Sequence, residues 1–404
     1  MKVLHVASFH GNVGDNANHA GFRPWLESLV GIPVEWSEFE IRDVYRKTRA
    51  FDTKFADEAN AADLVVIGGG NYFELWVESS PTGTSISIPD DVMDCIRTPI
   101  FFNALGVDDA QGYTDETLRR FRKFLDRLLA SDRYLVSVRN DGAMAALQAH
   151  VPALPLERVV RLPDGGFFAR YAAQPVVKPG PRIGINLAGD MLDQRFRGGV
   201  SHTYEGFLAE IAKSLSGLWE VYPRLQLVFF PHIFRDLSVV ADLLALLPDR
   251  LRRDQVRVAA YDSGDAAAGE VFGEYVACDM VLAMRFHSNV VPVGHGIPTI
   301  GLYCYDQVRR LYDELEQPGD IVQVRQPGFS EELLKRATGI LEAPETAAEK
   351  SRGMQLLVRR QREAAGARIR AWLALQEGLS VNPVCDAMKA GGRQRQGQAR
   401  TVAA

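Results

Sequence analysis

The sequence predicts an α/β protein built from two doubly wound, parallel-sheet domains. Three observations carry this expectation. Short apolar runs alternate with amphipathic stretches, the pattern of buried parallel strands covered by helices. Prolines and glycines cluster in "AAQPVVKPGPR", residues 172–182, as in a linker. Beyond that break the alternation starts again. At 404 residues the chain has room for two domains or slightly more.

In the first half, "KVLHVAS", "DLVVIGG", "PIFFNALG" and "YLVSVR" read as strands. A helix is expected from about Asn18 to Leu29. Another falls in "DETLRRFRKFLDRLLAS", where Leu118, Phe121, Phe124, Leu125 and Leu128 share one face. "RNDGAMAALQAH" should be helical, with Asn140 or Asp141 as N-cap. After the break, "RIGINLA", "LQLVFFP", "VRVAAY", "DMVLAMR" and "PTIGLYC" are strands, with helices in "GFLAEIAKSLSGLWEVY" and "LSVVADLLALLP". The expected boundaries are an N-terminal Rossmann-like domain at 1–172, a C-terminal one at 182–340, and a helical segment at 341–378. A tail at 379–404 has too little apolar content to fold. The basic "VRRQREAAGARIR" face is a solvated surface, a contact packed back on the first domain, or a contact with anionic lipid.

Composition excludes several classes. A formal net charge of -5 argues against a nucleic-acid binder. Four scattered cysteines without CxxC spacing indicate neither a disulfide framework nor a zinc site. "GNVGDN" fits neither GxGxxG nor a P-loop, and GxSxG and HExxH are absent. No metal or redox cofactor is expected. "MKVLHVASFHGN" does not read as a signal peptide, and no run reaches the roughly 18 apolar residues of a membrane span. A cytoplasmic protein is expected, with peripheral contact at the inner membrane face left open.

Ligands of open parallel sheets bind beyond the carboxyl ends of the strands. Those positions carry unusual chemistry here. The first strand leads into "SFHGNVGDNANHAG", with Gly14, Asp15 and Asn16; the second into "GGGNYF", with Gly69, Gly70 and Asn71; the fourth into Arg139. In the second half, strand ends deliver Asn186, His232, Asp262, then Arg285 and His287, then Tyr305 and Asp306. Glycine lets a backbone approach a ligand closely. Arginine offers a planar fork for carboxylate or phosphate, and histidine moves a proton near neutrality. Two arginines from facing domains, Arg139 and Arg285, therefore suggest a doubly negative ligand beside His287. The structural alternative is ion pairing, of Arg285 with Asp279 or Asp306 and of Arg139 with Asp141 or Asp132. The ligand reading predicts that Arg285→Ala abolishes turnover with little loss of stability. Among the other histidines, His5 is expected in the core, and His19 facing the cleft or solvent.

The pieces "GNVGDNA", "ADLVVIGGGNYF", "FFNALGVDDAQG", "LVSVRNDGAMAAL", "RLPDGGFF" and "ACDMVLAMRFHSNVVPVGHGIPTIGLYCYD" carry a resemblance. Over about residues 1–340 the sequence resembles the polysaccharide pyruvyl transferase family. The resemblance implies two Rossmann-like domains facing a cleft in a GT-B-like arrangement, acceptor side N-terminal and donor side C-terminal. It implies transfer of the enolpyruvyl unit of phosphoenolpyruvate to hydroxyls of a cell-surface glycan or its lipid-linked precursor. Arg285 and Arg139 would bind the donor's anionic groups and His287 would act as general acid/base, with Asp15 or His232 on the sugar side. One departure stands out: Val308 occupies the position where the family often has lysine, leaving Arg309 or Arg310 as substitutes. Two alternatives stay open, a glycosyltransferase using a nucleotide sugar and a non-catalytic glycan- or phosphate-binding protein. A homo-oligomer is also left open.

Overall fold

The computed structural model describes residues 1–196 and 202–376, together with residue 379. It contains two six-stranded parallel sheets. The first runs, edge to edge, Glu35–Glu40, Lys2–Ala7, Leu64–Gly68, Ile100–Leu105, Tyr134–Val138, Val160–Arg161. The second runs Val256–Val258, Gln226–Phe229, Arg182–Asn186, Met280–Ala283, Thr299–Tyr303, Ile321–Gln323. In each sheet the connections reverse direction once: between Lys2–Ala7 and Leu64–Gly68, and between Arg182–Asn186 and Met280–Ala283. At such a reversal the flanking loops diverge to opposite faces and open a crevice at the strand ends.

The nine apolar runs read as strands all form strands. Missed were three of the four edge strands, Glu35–Glu40, Val160–Arg161 and Ile321–Gln323, and a short ladder. "EWSEFE" pairs with Lys2–Ala7 yet buries only Phe39, because an edge strand needs little apolar content. A separate two-residue ladder pairs Phe73–Glu74 with Val107–Asp108.

Two helix starts differ from expectation. The first helix is Val13–Val30, beginning one turn early because the Asn12 side chain accepts the Gly14 N–H at 3.0 Å. The helix Ala143–His150 is capped by Gly142 at φ 86°, not by Asn140 or Asp141. The Asp141 carboxylate is occupied by Arg139 and Gln307, and the Gly142 N–H goes to Glu314 of the second domain at 2.8 Å.

The helix Pro344–Leu375 returns over the N-terminal domain. Its Ala365, Ile369, Trp372 and Leu373 share a cluster with Phe22, Leu26 and Phe101, while Met354 and Val358 pack with Phe167, Leu311 and Tyr312. Of the options for this segment, packing back on the first domain is the one its apolar face takes. The tail expected at 379–404 lies, but for residue 379, outside the described residues. Among the described residues no helix is long and apolar enough to cross a membrane.

The two domains meet through the first helix. Its Val13 and Ala17 enter one apolar cluster with Val228, Phe230, Phe272, Ala283 and Val291 of the other domain. This brings the sheet reversals towards each other.

Candidate functional site

Arg285 stands just past the strand Met280–Ala283, at the reversal of the second sheet, as the N-cap of the helix Phe286–Gly294. Its backbone is pinned by buried amides. Asn186 Oδ1 accepts the Arg285 N–H at 3.0 Å and the Ser288 hydroxyl at 2.9 Å, and Asn289 Nδ2 donates back to the Arg285 carbonyl at 2.7 Å. The guanidinium is not free. It grips Asp236 with both Nε and Nη2, Nε donating at 2.8 Å, and Nη2 also reaches Asp190 Oδ1 at 2.8 Å. Asp236 is fully buried and accepts the N–H groups of Gly189, His232 and Ile233 besides. Neither carboxylate suggested from sequence is the partner. Asp279 pairs with Lys178, and Asp306 is exposed and pairs with Arg309.

His287 occupies the first turn of that helix, buried against the other domain. Its Nε2 faces Asp164 Oδ1 at 3.4 Å and has no hydrogen-bond partner among the described residues. A Cβ at Gly14 would stand 2.6 Å from its Nδ1, so only glycine fits the helix start there.

Arg139, from the N-terminal domain, lies in the same seam. Nε donates to Asp141 Oδ2 at 2.6 Å, Nη1 is 3.9 Å from Asp164 Oδ2, and the guanidinium covers the Phe286 ring at 4.2 Å. Asp141 was one of the two partners suggested from sequence; Asp132 pairs with Arg158 instead. The expectation of two uncompensated arginines awaiting a dianion is thereby corrected: each carries carboxylates of its own. Burial alone would raise the Asp164 carboxyl, but His287 and Arg139 hold it below the usual range.

The remaining expected residues divide. A Cβ at Gly106 would meet both Asn71 Oδ1 and Arg139 Nη2, so Asn71 borders the cluster; its Nδ2 donates to Asp108 at 2.9 Å. Gly69, at φ 84°, packs on Asn18, and Gly70 packs on the Tyr72 ring; the triple glycine here serves close packing. The Tyr305 ring lies under Arg195 at 4.7 Å. Asp15 pairs with Arg42 at 3.1 Å at the cluster's edge. Asn16 is buried and donates to Phe9 O and Asp265, tying the two domains together. Asp306 is exposed, outside the cluster.

His232 is also corrected. Its Nε2 lies 3.0 Å from the Tyr275 hydroxyl, its ring stands edge-on to Phe272 and Tyr275, and burial pushes it down to about 3. A neutral imidazole walled by aromatics is not a sugar-side base. His19 faces neither cleft nor solvent, with Nε2 at 2.9 Å from the Ser8 carbonyl in the core; His5 is in the core as expected. Val308 is fully buried beside Phe167 and Tyr312. Of its neighbours, Arg309 pairs with Asp306 and Asp313, whereas Arg310 crosses to the first domain, packing on Gly142 and lying 3.7 Å from Asp109.

A family model described as polysaccharide pyruvyl transferase matches residues 4–306. The chain belongs to this family. Similar solved structures include Anabaena HepE in complex with UDP and glucose, at 14% identity and TM-score 0.54, covering 93% of this chain and 100% of that one. A putative UDP-N-acetylglucosamine 2-epimerase from Listeria monocytogenes is 12% identical with TM-score 0.59, covering 91% and 96% of the two chains. The S. aureus MnaA–UDP co-structure is 11% identical with TM-score 0.56, covering 93% and 97%. At such identities they show the fold alone, which is the two-domain GT-B arrangement. No curated protein matches the chain.

In this pyruvyl transferase family member four cluster residues escaped the sequence reading: Asp164, Asp190, Arg195 and Asp236. Asp164 stood inside the motif "RLPDGGFF", but a lone aspartate before two glycines reads as a turn. Its burial and its three partners, Asn18, Arg139 and His287, come from distant parts of the chain.

Proposed function

We propose that the protein moves the enolpyruvyl unit of phosphoenolpyruvate onto hydroxyls of a glycan or its lipid-linked precursor. One observation carries this reading within the family. His287 of the donor domain is wedged between Gly14 and Asp164 of the acceptor domain, with Arg285 at the reversal of its own sheet and Arg139 just past the strand Tyr134–Val138 of the other. In the proposed reaction His287 delivers a proton to C3 of the enol. The resulting cationic centre at C2 is attacked by one sugar hydroxyl, and phosphate leaves with the C2–O electron pair. A second hydroxyl then closes the ketal, and the two hydroxyl protons balance the one taken up at C3 and the one leaving with phosphate. Arg285, whose Nη2 is shared with the partly exposed Asp190, stabilises the anionic groups, while Arg139, paired with Asp141, holds Asp164 beside His287. Asp15 remains the candidate base on the sugar side. Peripheral contact at the inner membrane face would bring a lipid-linked acceptor to the N-terminal domain.

The buried Val308 favours one second reading. Without a lysine there, a nucleotide-sugar diphosphate is an alternative guest for Arg285. The two are separated by incubating the purified protein with each donor and a glycan acceptor. Acceptor-dependent phosphate release from phosphoenolpyruvate supports the proposal. Turnover of nucleotide sugars alone replaces it, and binding without turnover of either leaves a glycan- or phosphate-binding protein.

A further inference from the structure

Arg195 ends the short helix Leu192–Arg195, just after the strand Arg182–Asn186, and is buried. Its Nη2 lies 3.3 Å from Asp190 Oδ1, the same oxygen that Arg285 Nη2 contacts at 2.8 Å. Two guanidinium groups thus converge on one carboxylate oxygen.

Both forks are held independently of that carboxylate. Arg195 donates through Nε to the Asp190 backbone carbonyl at 2.8 Å and through Nη1 to Cys304 Sγ at 3.0 Å, and it stacks over Tyr305. Arg285 is fixed by the buried Asp236, itself anchored by three backbone N–H groups. The Asp190 side chain is the loose member, a quarter exposed at 25%, while Asp236 shows 0%. The next residue, Met191, has φ 55°, a left-handed conformation that a side chain adopts at some strain. Charge points the same way. Arg285 and Asp236 cancel, Arg195 adds one positive charge, and Asp190 supplies the anion that balances it.

We propose that Asp190 occupies an anion subsite formed by Arg195 and Arg285, and that a ligand's carboxylate or phosphate oxygens take its place. The identity of that ligand rests on the proposed function; the subsite itself does not. Exchange replaces one anion by another between two fixed, bidentate-capable donors, with the Asp190 carboxylate turned out towards solvent: a ligand carboxylate leaves the charge of the subsite unchanged, and a phosphate adds about one negative charge or less. Burial alone would raise the Asp190 carboxyl, but Arg285 and Arg195 hold it below the usual range, as a stand-in anion should be held. Asp190 thereby sets a threshold: only a ligand that engages both forks better than the internal carboxylate enters.

Calorimetric titration of the full chain with inorganic phosphate, and separately with phosphoenolpyruvate, tests this. Removing the internal competitor raises apparent affinity by the inverse of the fraction of time the subsite is open. Asp190→Ala is expected to bind phosphate at least ~10-fold more tightly than the parent, and Arg195→Gln in the same chain to erase the gain. Asp190→Asn serves as the near-isosteric second variant, expected to gain in the same direction. Equal phosphate affinity in parent and both Asp190 variants overturns the proposal, as does a gain that survives loss of Arg195. A gain for phosphate without one for phosphoenolpyruvate supports the subsite while removing phosphoenolpyruvate as the donor.

Discussion

Asp164 Oδ1 faces His287 Nε2 at 3.4 Å across the domain boundary, and the same carboxylate accepts from Asn18 Nδ2 and the Gly166 N–H at 2.8 Å each. One side chain therefore joins the His287 ring, the first helix and the turn Gly165–Phe167. Asp164→Asn should lose turnover and about 3 kcal/mol of stability, since it leaves the buried Arg139 guanidinium with Asp141 alone. The sign with pH follows from its lowered pKa in the fold. Its contribution is complete above the unfolded value of about 3.9 and fades as pH falls through the lower, folded one. The gap in urea midpoint between parent and variant should be full at pH 7 and shrink below about pH 4. A gap that does not change with pH would assign Asp164 a purely steric role.

Replacing Arg285 should unfold more than it spares. The fully buried Asp236 would be left with only its backbone N–H partners, a loss of about 3 kcal/mol. This reverses the expectation, drawn from sequence, that Arg285→Ala changes stability little. Asp306→Ala, which breaks an exposed pair, should stay within about 0.5 kcal/mol. Thermal melts of the two variants side by side decide the matter.

Gly14→Ala places a methyl 2.6 Å from His287 Nδ1. Overpacking of that kind costs about 1–3 kcal/mol and displaces the ring, so activity should fall further than stability accounts for. Gly269→Ala is the control. It lies in the helix Asp265–Val276 with nothing within 4 Å of the new methyl, and it should gain about 0.5–1 kcal/mol from helix propensity. Equal activity in both variants would separate Gly14 from the chemistry.

Glu74 stands opposite Asp108 in the two-residue ladder, bonded to the Ser85 hydroxyl, and burial pushes its carboxyl up to about 7. Glu314, which caps Gly142, is likewise pushed up to about 7, chiefly by burial. The folded state then holds protons that the unfolded chain releases near pH 4.5, so stability should decline between about pH 4.5 and 7. Each group contributes a slope of at most about 1.4 kcal/mol per pH unit. Glu74→Gln should roughly halve the decline measured by urea titration across that range; an unchanged slope would count against burial as the cause.

Much of the architecture is legible in the order of residues, because apolar runs of strand length between amphipathic stretches have few ways to be buried. The edge strand at Glu35–Glu40 was not, since an edge strand is nearly as polar as a loop. The site divides in the same way. Arg139, Arg285 and His287 are visible because charges at the ends of apolar strands are unusual. Their partners Asp236, Asp190 and Asp164 lie 49, 95 and 123 positions from Arg285 or His287, in turns where aspartate is ordinary.

Composition and periodicity by themselves determined the parallel α/β architecture and that Arg139, Arg285 and His287 stand at the ends of apolar strands. Those properties depend on local burial patterns that each segment encodes alone. The tertiary structure decided which carboxylate answers each cation and where His287 is held. Electrostatic pairing depends on distance through space, and only the docking of the two domains sets those distances.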